Sequence, residues 1–78
     1  MNVRTHFRNL LTRLGNGVPF TDADDVFEKG VVKSVNVIEL IDELESTYSI
    51  RVDPADVFEG RLRSVDQLVA FVAERGVA

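Results

Sequence analysis

Few residues in this 78-residue chain are suited to chemistry. There is one histidine, His6, and there is neither cysteine nor tryptophan. A lone imidazole acts as a base or a ligand only with partners, and no residue stands at a suitable spacing to supply them. His6 therefore reads as a surface residue of a helix. Without thiols there is no disulfide framework, no sulfur nucleophile and no thiolate metal site. Among the hydroxyls, Ser34 opens the run SVNVIELIDELESTY. A serine ahead of an apolar-periodic run is well placed to cap a helix, although Asn36 with Glu39 offers a competing capping box. Within that run Val35, Ile38, Glu39 and Asp42 fall at i, i+3, i+4 and i+7, a row half apolar and half acidic. Such a row is either the margin of a core or a docking strip, with apolar knobs for contact and carboxylates for steering.

The charge pattern narrows the partners. The net charge is −4, from 9 Lys and Arg against 13 Asp and Glu. Residues 1–21 carry three Arg and no acid, +3; residues 22–50 carry eight acids against two Lys, −6; residues 51–78 carry five acids against four Arg, −1. An acidic middle repels phosphate backbones, so nucleic acid is a poor partner; a helical DNA-binding domain would draw only on the Arg of the first helix. Proteins with basic patches are better ones. Enzymatic activity is not expected: titratable groups for work near neutral pH are scarce, and so short a chain encloses little space.

The elements that position these residues follow from periodicity. A first helix is predicted from Asn2 to Leu14, with Val3, Phe7, Leu10, Leu11 and Leu14 on one stripe and Gly15-Asn16-Gly17 as its stop. Arg4, Arg8, Asn9 and Arg13 fall on its other faces. Residues 15–33 form a long connection in which Thr21 or Asp22 caps a short turn. Phe20, Val26 and Phe27 pin that connection to the core, and Val31-Val32 form a buried step. The second helix spans Ser34 to Tyr48, with Val37, Leu40, Ile41, Leu44 and Tyr48 facing inward. Pro54 opens a short helix over 54–59. Ser64-Val65-Asp66-Gln67 is a capping box for the last helix. Its core stripe is Val65, Leu68, Val69 and Val72, with Phe71 at one edge and Arg75-Gly76 closing it.

The expected fold is all-α: a small four-helix bundle of three main helices and one short helix, with a long first loop, and residues 1–78 as a single domain. No apolar run approaches the ~18 residues of a membrane span. Arg4, His6, Arg8 and Arg13 break up any signal-peptide centre. A cytoplasmic location is therefore expected, and the chain is expected to be a monomer.

The stretch DDVFEKGVVKSVNVIELIDELESTYSIRVDPADVF resembles the acyl carrier protein family, the phosphopantetheine-binding carriers. Phe27 and Gly30 lead into a short apolar step, Ser34 opens an apolar-acidic helix containing Glu39-Leu40, and Tyr48 precedes Ile50-Arg51-Val52. The resemblance implies that Ser34 receives 4′-phosphopantetheine from coenzyme A through a phosphopantetheinyl transferase. The terminal thiol of that arm would hold an acyl or aminoacyl group as a thioester. It further implies partner contact through Val35, Ile38, Glu39 and Asp42 by loading and transfer enzymes with basic patches. The family commonly has Asp-Ser-Leu where this chain has Lys33-Ser34-Val35. Lys33 pairs with the phosphate, serves a dedicated partner, or is a solvated lysine of no consequence; the sequence does not choose among them. An interaction module that uses the same acidic helix without an arm is the alternative. Fatty-acid, polyketide and amino-acid carriers share these features. The long first loop and Lys33 lean towards a specialised pathway. The chain reads as free-standing, although excision from a larger synthase would give the same features.

Overall fold

The computed structural model describes residues 2–76. Four helices follow in order: α1 (Val3–Leu14), α2 (Ser34–Tyr48), α3 (Pro54–Phe58) and α4 (Val65–Arg75). Among the described residues there is no strand. Among the described residues no helix is long and apolar enough to cross a membrane.

α1 begins where its sequence supplies an acceptor: the Asn2 side chain accepts a hydrogen bond from the Thr5 N–H at 3.0 Å. Its inward stripe buries Phe7, Leu10 and Leu11, while Val3 and Leu14 are partly covered. The helix ends at Gly15-Asn16-Gly17, where Asn16 and Gly17 take φ of 52° and 91°. Gly15 has another role. A Cβ built on it would stand 2.8 Å from Val31 Cγ1, so the absence of a side chain lets the end of the long connection close onto α1.

That connection, residues 15–33, is tied down along its length. Arg4 of α1 bonds Asp22 at 2.7 Å and Asp66 at 2.6 Å, and Arg8 also bonds Asp22. The Asp22 carbonyl accepts the Asp66 N–H at the start of α4. The turn is built differently from expectation. Instead of Thr21 or Asp22 capping it, the Asp24 carboxylate accepts the Thr21 N–H. Asp25 accepts the N–H groups of Phe27 and Glu28. Arg63 then clamps the turn: its Nε lies 2.5 Å from Asp25, its guanidinium lies over the Phe27 ring, and its carbonyl accepts the Val26 N–H at 2.7 Å.

The remaining helices close the core. α2 buries Leu40 and Leu44, with Val37, Ile41 and Tyr48 partly covered. α3 ends at Phe58, one residue before the expected limit, with Glu59 as its C-cap. In α4 the Ser64 hydroxyl accepts the Gln67 N–H at 3.1 Å. The inward residues are Val65, Leu68 and Phe71; Val69 and Val72 lie only partly covered. Phe71 thus belongs to the core and not to its edge, because α4 is rotated slightly towards Phe71 and the Arg75 guanidinium covers its ring at 4.9 Å. Phe7, Leu11, Leu40, Leu44, Leu62 and Leu68 fill the centre with no more than 1% exposure each.

Candidate functional site

The start of α2 joins a rigid base to an exposed end. Gly30 takes a φ of 79°, which a side-chain-bearing residue adopts only with strain, and so turns the chain inward. Val31 and Val32 are then buried, and both of their N–H groups donate to the Val26 carbonyl at 2.9 and 3.0 Å. Val26 is itself fully buried. The next three residues, Lys33, Ser34 and Val35, are all exposed. A side chain projecting there is held in a fixed place while its outer end meets solvent.

Ser34 is not the cap that its position suggests. It is the first residue of α2, and Lys33 is the N-cap, with an extended backbone at φ −100° and ψ 168°. The Asn36 amide oxygen accepts the Lys33 N–H at 3.1 Å. The reciprocal bond of a capping box is absent, because an ammonium only donates. The Asn36 N–H instead reaches the Lys33 carbonyl at 2.8 Å. The Ser34 hydroxyl is therefore free of any protein partner among the described residues, and so are the Ser34 and Val35 N–H groups. Those groups make up the positive end of the helix dipole.

Lys33 is also unusual among the cations. Arg4, Arg8, Arg13, Lys29, Arg61, Arg63 and Arg75 each pair with a carboxylate. Lys33 and Arg51 are the two Lys or Arg without an ion pair among the described residues.

The row of Val35, Ile38, Glu39 and Asp42 faces outward. Val35 and Ile38 are 78% and 75% exposed, so they do not form a core margin. No Lys or Arg occurs in α2, but its carboxylates differ in their engagement. Glu39 is held by Arg13 of α1 at 2.9 Å. Glu43 accepts the Thr47 hydroxyl at 2.8 Å and lies 2.8 Å from His6 Nε2. Glu45 accepts the Val52 N–H at 3.2 Å. Asp42 alone has no side-chain partner among the described residues.

Two features escape a reading by periodicity. His6 is half-buried and not a freely solvated surface residue. Its ring packs edge-on to Phe7 and Tyr48, its Nε2 is buried against Glu43, and it helps to close α1 on α2. That nitrogen approaches Glu43 without hydrogen-bond geometry. Burial, reinforced by the Glu43 charge, pushes the neighbouring Tyr48 hydroxyl above its ordinary pKa. The second feature is Phe58, 88% exposed on α3 beside a surface groove lined by Ile41, Val52, Pro54 and Val57. The signal was Val57-Phe58 within a five-residue helix: neighbouring side chains there point in different directions, so only one can be covered.

Comparison with known proteins adds a family. Residues 3–72 match the family described as "Phosphopantetheine attachment site". The chain is also similar to proteins named D-alanyl carrier protein from Streptococcus pyogenes serotype M5 (strain Manfredo), serotype M49 (strain NZ131) and serotype M1. Each is 37% identical over 51 residues, covering 65% of this chain and 65% of the relative. The aligned stretch thus spans somewhat less than two thirds of those relatives. No solved structure matches the chain.

Proposed function

Because this chain belongs to the phosphopantetheine-binding carrier protein family, we propose that Ser34 is where its 4′-phosphopantetheine is attached and that the cargo is an aminoacyl group. The observation that carries the site is the exposed Ser34 hydroxyl, without a partner among the described residues, at the first position of α2 on a base anchored by Val31 and Val32. A phosphopantetheinyl transferase can reach that oxygen without unfolding anything.

The residues present fit such a group. A phosphodiester on Ser34 would meet the free N–H groups of Ser34 and Val35 and the positive end of α2. Lys33, which has no carboxylate partner among the described residues, supplies a cation beside it. When bound, the arm contributes a thiol that this cysteine-free chain lacks, and that thiol holds cargo as a thioester. The protein's own part is to fix the tether's origin and to be recognised, so that cargo reaches a docked enzyme at high effective concentration.

Two observations support a small aminoacyl cargo. The relatives at 37% identity are named D-alanyl carrier protein, which makes D-alanine the first candidate. The bundle interior is also filled by its own Leu, Val and Phe side chains. A cargo that remains outside on its arm requires no repacking, whereas a long acyl chain seeking cover would have to displace close-packed groups. Partners dock on the outward row of α2 through Val35, Ile38, Glu39 and Asp42, with Phe58 of α3 as a further apolar contact. Those partners are the transferase and the loading and transfer enzymes, bearing basic patches. Residues 1–78 act as one monomeric carrier domain. It works where coenzyme A is supplied, in the cytoplasm.

Mass spectrometry of the protein isolated from its native cell tests both parts. An arm on Ser34 bearing an amino acid is the expected result. A Ser34 arm carrying a long acyl chain would overturn the cargo, and an unmodified Ser34 would overturn the site.

A further inference from the structure

The outward face of α2 is not uniformly available to a basic partner. Its carboxylates differ in what already holds them. Among the described residues Asp42 has no side-chain partner, so both of its oxygens are open to an incoming cation. Glu39, one turn earlier on the same row, is bonded by Arg13 Nη1 through Oε2 at 2.9 Å. Arg13 is the one basic residue of the last turn of α1. A partner guanidinium that grips a carboxylate through both oxygens can take Asp42 at once. It can take Glu39 only after Arg13 has let go.

We infer that Arg13 is an internal competitor for the docking face of α2. It occupies Glu39 in the free protein and is displaced when a partner's arginine seats there. The inference rests on the docking surface proposed above. It adds a residue outside α2, in the last turn of α1, which sets how strongly that surface attracts cations. The exchange is readily reversible because both side chains are largely solvated, 64% and 46% exposed. Pairs of that kind hold weakly. Recognition accordingly begins at Asp42, Val35 and Ile38, and Glu39 joins as Arg13 swings away. A partner offering a single cation would use Asp42 and leave the Arg13 bond intact. A partner offering two arginines about one helical turn apart would use both carboxylates.

The test is the rate at which a phosphopantetheinyl transferase with coenzyme A modifies four proteins: the wild type, R13Q, E39Q and the double variant. Circular dichroism and thermal melting confirm that each is folded. Releasing Glu39 should raise kcat/KM of R13Q about threefold, the scale set by an exposed ion pair. In the E39Q background the same R13Q change should have no effect, since the group it frees is gone. An R13Q rate that is unchanged or lower overturns the inference. So does an equal rise in both backgrounds, which would mark a general gain of negative charge. If the wild type accepts no arm, the carrier reading falls and the inference with it; an arm added at a rate indifferent to Arg13 overturns the inference alone.

Discussion

Arg75 grips Asp56 with both terminal nitrogens, at 2.6 and 2.8 Å, and so ties the five-residue helix α3 to the last turn of α4. Asp56 is only 2% exposed and also accepts the Asp53 N–H at 2.9 Å. The Arg75 hydrogen bonds hold the Asp56 carboxyl below its ordinary pKa, against the opposing pull of burial. Asp22 is lowered likewise, chiefly by its hydrogen bond from Arg4. A carboxyl depressed in the folded state binds its proton less readily there than in the unfolded chain. Its stabilisation is therefore complete above the unfolded value, about pH 4, and is lost as pH falls through the lower folded value. Urea titrations from neutral to acid pH should show stability declining below about pH 4. D56N should be less stable at neutral pH and show a shallower acid decline. An acid limb identical to that of the wild type would remove Asp56 from the account.

Lys33 occupies an N-cap position that it cannot cap. In K33D a carboxylate would accept a hydrogen bond from the first turn of α2 and would suit the positive end of the dipole. The variant should be more stable by about 1 kcal/mol in urea titration, the usual worth of a cap. It should also be modified faster by transferases of broad specificity, because it restores the acid common beside the serine in the family. A stability below that of the wild type would show that Lys33 holds α2 in a way that the contacts at its start do not reveal.

Gly15 has an ordinary negative φ, −81°, so alanine there should gain about 0.4–1 kcal/mol from a less flexible unfolded chain. The contact with Val31 decides otherwise. The added methyl would stand 2.8 Å from Val31 Cγ1 and 3.3 Å from its Cα, and Val31 is fully buried and stiff at χ1. G15A should therefore be destabilised by about 1–3 kcal/mol, the range for overpacking. A stabilised G15A would show that the loop end gives way freely.

Val35 and Ile38 are mostly in solvent, so V35A and I38A should leave stability within about 0.5 kcal/mol of the wild type. Modification by a transferase should nevertheless slow, by roughly fivefold or more for I38A, the scale of a central contact. L44A is the contrasting case. Leu44 is fully buried, and its loss should cost about 2–5 kcal/mol. Unchanged modification rates in both surface variants would move partner docking away from this row.

Local pattern carried most of the fold and part of the site. The stripes of α1 and α2, the buried Val31-Val32 step and the Ser64 cap all depend on neighbours within a turn or two, and such spacing is visible in a string of residues. What escaped depends on distant pairing. Nothing near Asp56 announces Arg75, nineteen positions on, and nothing near Asp25 announces Arg63. The same holds for His6 against Glu43 and for Arg13 against Glu39. These charged groups look like a solvated surface until the helices are packed. The one local error at the site, Ser34 in place of Lys33 as the cap, arose because side-chain preference favours serine while the backbone turns one residue earlier.

Intact-mass and peptide-mapping spectrometry after coexpression with a phosphopantetheinyl transferase tests the central claim most directly. The wild type should gain the mass of one phosphopantetheine, located on the peptide containing Ser34. S34A should keep the same melting temperature and gain nothing. A wild type that stays unmodified across a panel of transferases that includes its own cell's, or an S34A protein that still acquires the arm, would contradict the assignment.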